Sequence, residues 1–275
     1  MMKIELSNVI NCYFSLGEGL HIYSSGVSWV DINNSKLAVF DEESLTNYNM
    51  DIIPSIIYAV KDNIFTIGCD LGLIEFSTLT KKSSLKIRNL SLQSVEFRSN
   101  DGGFCGDYKL LSFMHRDDPV KNLGFVYLVK NESFLLLDDS LHIPNSFIEI
   151  EPSKILISDS LKGQIWLYQL DDTGNLVEKT LWAQLDKGIA PDGGCLVGDF
   201  VFVALWDGAS IAVFDKSGKL IKKLPLPVIR PTNCKYDGVR SLLWVTSASE
   251  GLSKEQLSRY PLSGNTFVYN LELGS

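Results

Sequence analysis

The chain reads as an all-β protein, a six-bladed β-propeller with four-stranded antiparallel blades, and three observations predict it. A pair of apolar strands recurs along the 275 residues, with starts near 28, 64, 110, 155, 201 and 242. That period of roughly 40–46 residues falls in the range of propeller repeats. Each pair is rich in β-branched and aromatic residues and is broken by a polar turn that often carries Gly. Helical periodicity is nearly absent.

The pairs, in order, are SWVDINNSKLAVFD (28–41), IFTIGCDLGLIEFS (64–77), LLSFM with GFVYLVK (110–130), ILISDSLKGQIWLYQLD (155–171), VFVALWDGASIAVFD (201–215) and LLWVTSA with TFVYNLEL (242–273). One further short strand precedes each pair, at 20–23, 55–60, 103–106, 147–150, 193–196 and 233–236. A fourth follows most pairs, as at 132–137 and 219–225. Four strands per unit and six units give the propeller. The last unit stops at TFVYNLEL with no fourth strand, and the N-terminal stretch 3–6 is expected to fill that place, joining the two ends of the sheet and removing an open edge. SKEQLSRY (253–260) reads as one helical turn inserted in the sixth blade, with Ser253 as its cap. No linker, low-complexity tract or charge block divides the chain, so 1–275 is read as a single domain.

Composition narrows the function. Hydrophobic residues make up 45 % of the chain, enough for a full core and too many for disorder. A net charge of −8 argues against nucleic acid and against an anionic membrane face, and mildly favours cations. No apolar run is long enough to span a bilayer, and MMKIELSNVINCYF lacks the basic start and apolar stretch of a signal peptide, so the cytoplasm is the expected location. The five cysteines are an odd number without CxxC spacing, and read as buried small hydrophobes rather than disulfides or a zinc ribbon. A monomer or weak homo-oligomer is expected.

Residues at one phase of successive repeats land on one ring. Asn100, Asn145 and Asp192 are spaced 45 and 47 residues apart, and Glu18 lies 82 residues before Asn100. Each opens the innermost strand of a unit, so two carboxylates and two amides converge at one mouth of the central channel. That oxygen-rich set suits a hard divalent cation and leaves room for water and substrate. The three histidines, His21, His115 and His142, form no HxH or HExxH pattern, which disfavours a zinc site. His115 reads as a solvated loop residue, with a proton carrier near the mouth as its alternative. Arg98 stands two residues before Asn100, so an extended segment points both the same way. Trp182 and Trp206 are placed at an edge or a mouth.

These segments resemble the family of senescence marker protein (regucalcin), gluconolactonases and luciferin-regenerating enzyme. The similarity lies in LGEGLHIYSSGVSWVDI (16–32), FRSNDGG (97–103), HIPNSFIEIEPSKILISDS (142–160), APDGGCLVGDFVFVALWDGA (190–209) and the last blade, and it covers nearly the whole chain in the right order. The resemblance implies Glu18, Asn145 and Asp192 as ligands of one divalent metal ion (Ca, Mg, Mn, Zn or Fe). It also implies Arg98 and Asn100 as substrate-binding residues, so that Asn100 moves from metal ligand to substrate contact. The implied activity is hydrolytic opening of a sugar lactone, with Asp192 both holding the ion and accepting a proton from water. A non-catalytic calcium-binding regulatory propeller, an interaction scaffold and a hydrolase of a non-sugar lactone or phosphoester are the alternatives. The chain departs from the family pattern at Leu20, at Ser112–Phe113–Met114, at Ser146–Phe147 and at Gly194. These departures change the wall around the ligands, and Phe113 is expected either to crowd the pocket or to stack on a sugar face.

Overall fold

In the computed structural model, which describes residues 2–90 and 94–273, six four-stranded antiparallel sheets succeed one another around a ring. β1 (Lys3–Ile10) comes first in the chain but belongs to the last sheet. The first blade is β2 (Gly17–Tyr23), β3 (Gly26–Asp31), β4 (Lys36–Asp41) and β5 (Ser44–Asn49). The second is β6 (Pro54–Lys61), β7 (Ile64–Cys69), β8 (Gly72–Ser77) and β9 (Lys82–Arg88). The third is β10 (Phe97–Cys105), β11 (Tyr108–His115), β12 (Phe125–Lys130) and β13 (Ser133–Asp138). The fourth is β14 (Pro144–Glu151), β15 (Lys154–Asp159), β16 (Gln164–Leu170) and β17 (Leu176–Gln184). The fifth is β18 (Ala190–Val197), β19 (Phe200–Trp206), β20 (Ser210–Asp215) and β21 (Leu220–Pro225). The sixth is β22 (Pro231–Asp237), β23 (Leu242–Ser247), β24 (Thr266–Glu272) and β1, which pairs with β24 from Lys3↔Glu272 to Ile10↔Thr266. The expected ring closure is therefore present, over twice the length read from sequence.

The short helix α1 (Lys254–Arg259) sits between β23 and β24, capped by Ser253, whose hydroxyl accepts the Gln256 amide at 3.1 Å. Tight hairpins hold the outer strands. Asn131 and Glu132 both have positive φ in the two-residue turn between Lys130 and Ser133, a backbone twist that matches flanking strands.

The core lies between blades, not within them. Alternate side chains of each sheet face the neighbouring sheet. Ile56, Tyr58 and Leu73 of blade two meet Leu111, Phe113 and Tyr127 of blade three, and Trp29 of blade one shares a cluster with Trp244 of blade six. Phe113 is fully buried in the first of these clusters, its ring 5.8 Å from Tyr127, so it neither crowds the mouth nor faces a ligand. Leu20 is likewise a core residue at 1 % exposure, and a side chain at Gly194 would collide with the Phe202 carbonyl. None of the five cysteines is in a disulfide, and all but Cys12 are buried.

The six inner strands β2, β6, β10, β14, β18 and β22 pack edge to edge around the channel. Each begins one to six residues before the sequence-predicted start, and each carries a bulge near its beginning: between Glu18 and His21, Pro54 and Ile56, Ser99 and Gly102, Asn145 and Ile148, Pro191 and Gly194, and Pro231 and Cys234. A bulge breaks the two-residue alternation and re-aims one or two side chains. Here that happens at the same height in every blade.

Candidate active site at one mouth of the channel

The re-aimed side chains build the site. Glu18, Asn145 and Asp192 share one local geometry, in which the side-chain oxygen accepts the amide of the next residue. The distances are 3.2 Å for Gly19, 3.2 Å for Ser146 and 3.1 Å for Gly193. The backbone turns sharply there. Gly19 and Ser146 have φ of 61° and 56°, and a Cβ at Gly19 would lie 2.5 Å from the Ser55 carbonyl oxygen. All three side chains are buried, at 4–6 % exposure. The Asp192 carboxyl feels both the Glu18 carboxyl and the Asn145 amide, each of which favours its charged form. The blades are also pinned to each other at this level. The Ser146 hydroxyl donates to the Asp192 carbonyl, and Thr232 Oγ1 donates to the Gly17 carbonyl at 2.5 Å.

Arg98 and Asn100 stand beside them on β10. Arg98 Nη1 donates to Asn100 Oδ1 at 2.8 Å and to the Ser99 carbonyl at 3.0 Å, and Asn100 Nδ2 donates to the Pro144 carbonyl at 3.0 Å. The amide oxygen of Asn100 is thus turned to the guanidinium. Behind them, Asp70 accepts the Ser99 amide at 2.9 Å and the Ser99 hydroxyl at 3.1 Å, and pairs with Arg116, which fixes the start of β10. Glu18, Arg98, Asn100, Asn145 and Asp192 line one cavity of about 820 Å³, so all five sequence-predicted site residues meet at a single mouth. His115 does not line it; its Nδ1 accepts the Asp118 amide at 3.0 Å in the turn after β11. Trp206 lines the mouth, whereas Trp182 sits on the outer strand β17 and donates to the Lys216 carbonyl at 3.0 Å.

Two residues at the site were not picked out from sequence. Asn233 of β22 donates through Nδ2 to Glu18 at 3.4 Å, while its Oδ1 is buried without a hydrogen-bond partner. It lies 41 residues after Asp192, so the repeat phase that located the others could have found it. Asp101, 3 % exposed, is a buried carboxyl whose charge is favoured by the backbone amides of Gly102, Ser146 and Phe147 and by the Lys235 ammonium.

The electrostatics of the mouth favour a cation. Burial drives the Glu18 carboxyl well above the usual carboxylate range, and repulsion from Asp192 and then Asp101 adds to it. Burial and then Asp101 do the same to Asp192, against the pull of its hydrogen bonds to Glu18, Gly193 and Asn145. Asp101 is pushed up to about 6, mainly by burial. Carboxylates whose negative charge is disfavoured by one another regain it when a positive ion sits between them. Among the described residues no three His, Cys, Asp or Glu side chains form a ligand cluster. The donor set is two carboxylates completed by an amide, with Asn233, whose own oxygen is unpartnered, bonded to Glu18 through Nδ2, and such oxygen donors fit a hard divalent ion.

Comparison with known proteins agrees with the sequence resemblance. A family model described as the SMP-30/Gluconolactonase/LRE-like region matches residues 16–249. Regucalcin of Gallus gallus is 35 % identical over 220 residues, which cover 75 % of this chain and 72 % of that protein. A 6-deoxy-6-sulfogluconolactonase of Pseudomonas putida is 29 % identical over 121 residues, 40 % of each chain. Among solved structures, a calcium-binding protein, regucalcin, from Agrobacterium tumefaciens superposes with a TM-score of 0.88 at 22 % identity, covering 96 % of this chain and 93 % of that one.

Proposed function

The chain belongs to the SMP-30/gluconolactonase/LRE-like family, and from that membership we propose that it is a divalent-cation-dependent lactonase, opening a cyclic ester such as a sugar aldonolactone to the hydroxy acid. The observation that carries the reading is the meeting of Glu18, Asn145 and Asp192 with Arg98 and Asn100 in one cavity. A cation held by Glu18, Asn145 and Asp192 would supply Lewis acidity at the mouth.

The side chains divide the remaining work. Arg98 presents guanidinium N–H groups beside Asn100, and this pair orients the ester against the attacking water, lowering the entropy cost of reaching the reactive geometry. The positive charge of Arg98 also favours the negative charge that grows on the carbonyl oxygen. One Asp192 oxygen is held by the Gly193 amide, and the carboxylate accepts the proton of the water as it attacks. Asp70 and Arg116 keep the start of β10 in place, so the guanidinium need not search for its position.

The test is proton release from lactones with and without chelator, across Ca²⁺, Mg²⁺, Mn²⁺, Zn²⁺ and Fe²⁺. Asp192→Ala and Glu18→Gln are expected to abolish metal-dependent turnover while the β-rich circular dichroism persists. Undiminished turnover in both variants sinks the assignment. Cation uptake without any proton release would instead favour a cation-binding propeller that does no chemistry.

A further inference from the structure

Resting on that lactonase reading, we infer that the lactone carries an apolar substituent, and that alkyl-substituted lactones are opened in preference to polyhydroxylated sugar lactones. The cavity has two unlike halves. Its floor is the polar set already described. Its outer wall is Met114 from β11, Ile143, Leu161, Leu185 and Ile189 from the loops of blades four and five, and Trp206 at the end of β19.

Lone exposed leucines need no explanation, but apolar side chains sharing one concave wall mark a ligand surface. Leu161, 37 % exposed, stands in the turn between β15 and β16 and lines this cavity.

The polar groups on the same wall are already engaged. Ser160 Oγ donates to the Pro191 carbonyl at 2.7 Å. Gln184 Nε2 donates to the carbonyls of Lys162 at 3.0 Å and Gly163 at 3.1 Å. Arg230 is held by Asp207 at 2.6 Å and by the Glu250 carbonyl, with its guanidinium 4.7 Å from the centre of the Trp206 ring. Arg98 and Asn100 spend part of their capacity on each other and on main-chain carbonyls. A lactone bearing several hydroxyls would give up water along this wall and find few free donors there, and unsatisfied polar groups are costly. An alkyl chain loses nothing there and leaves water. The charged side chains that remain, Lys162, Asp186, Lys187 and Glu250, are exposed at the outer rim.

The test compares γ-valerolactone, γ-octalactone and γ-decalactone with glucono-δ-lactone on the cation-loaded protein. The specificity constant kcat/KM should climb by up to about fourfold per added methylene until the wall is covered. In Leu161→Ser and Ile189→Ser that climb should fall by roughly half. A flat series, or glucono-δ-lactone preferred over every alkyl lactone, overturns the inference while leaving the lactonase reading intact. If no lactone is turned over, that reading fails instead. Calorimetry of γ-decalactone and γ-valerolactone with Asp192→Ala then decides the wall by itself: tighter binding of the longer chain upholds it, and equal binding removes it.

Discussion

His21 offers a quantitative handle on the channel, because its charge state follows from its surroundings. Burial, then the Lys235 ammonium, lower its pKa from 6.5 to about 4, against a hydrogen bond to the Ile57 backbone. The folded-state pKa lies below the unfolded one, so as pH falls the unfolded chain takes the proton first. The associated stability is fully present above pH 6.5 and is lost progressively down to about pH 4. At about 1.4 kcal/mol per pH unit, the loss reaches about 2 kcal/mol at pH 5 and about 3 kcal/mol below pH 4. The assay is urea unfolding of the wild type and of His21→Gln at pH 7, 6, 5 and 4. Wild-type stability should fall more steeply than that of the variant by those amounts. Only three histidines are present, so NMR titration of the ring protons reads the pKa directly. In Lys235→Met the His21 value should move back toward 6.5. Parallel stability curves for wild type and His21→Gln, or a His21 pKa that is normal in the wild type, would refute the account.

Two further outcomes follow from the site. Asp70→Ala removes two hydrogen bonds to Ser99 and the carboxylate partner of Arg116, which keeps the Val95 and Phe97 carbonyls, and should cost about 2 kcal/mol in chemical denaturation. With the start of β10 loosened, KM should rise several-fold while calorimetric cation affinity stays within about twofold. Gly193→Ala places a methyl group against the Asn233 side chain, which must leave Glu18. The expected result is a circular dichroism spectrum like that of the wild type with cation affinity reduced about tenfold; unchanged affinity would show that Asn233 has no part in holding Glu18.

Strand alternation and turn spacing carried most of the fold. The apolar pairs, the six-fold period and even the returning N-terminal strand are local hydrophobic patterns repeated at fixed intervals, and each was matched by a blade. The same period brought out Glu18, Asn100, Asn145 and Asp192. What alternation could not reveal lies at the bulges. Asp101 follows Asn100 directly and by alternation belongs to the opposite face, yet the irregularity between Ser99 and Gly102 leaves both buried around the channel. Asn233 sits inside the bulge of β22, where an amide before a Cys reads as an ordinary strand residue. Phe113 shows the reverse failure. Its neighbour Met114 lines the cavity, and only the register of β11 against β10 and β12 tells which of two adjacent apolar residues faces inward.

The partnership of β1 with β24 has a consequence for the order of biosynthesis. Asn11 and Asn265, bonded at 3.2 Å, are 254 residues apart, so at translation rates of about 5–20 residues per second the first strand emerges roughly 10–50 s before its mate exists. Throughout that interval KIELSNVI must remain in solution unpaired. Lys3, Glu5 and Asn8 interrupt its apolar positions and keep it from capturing another nascent copy in place of its own late-arriving tail.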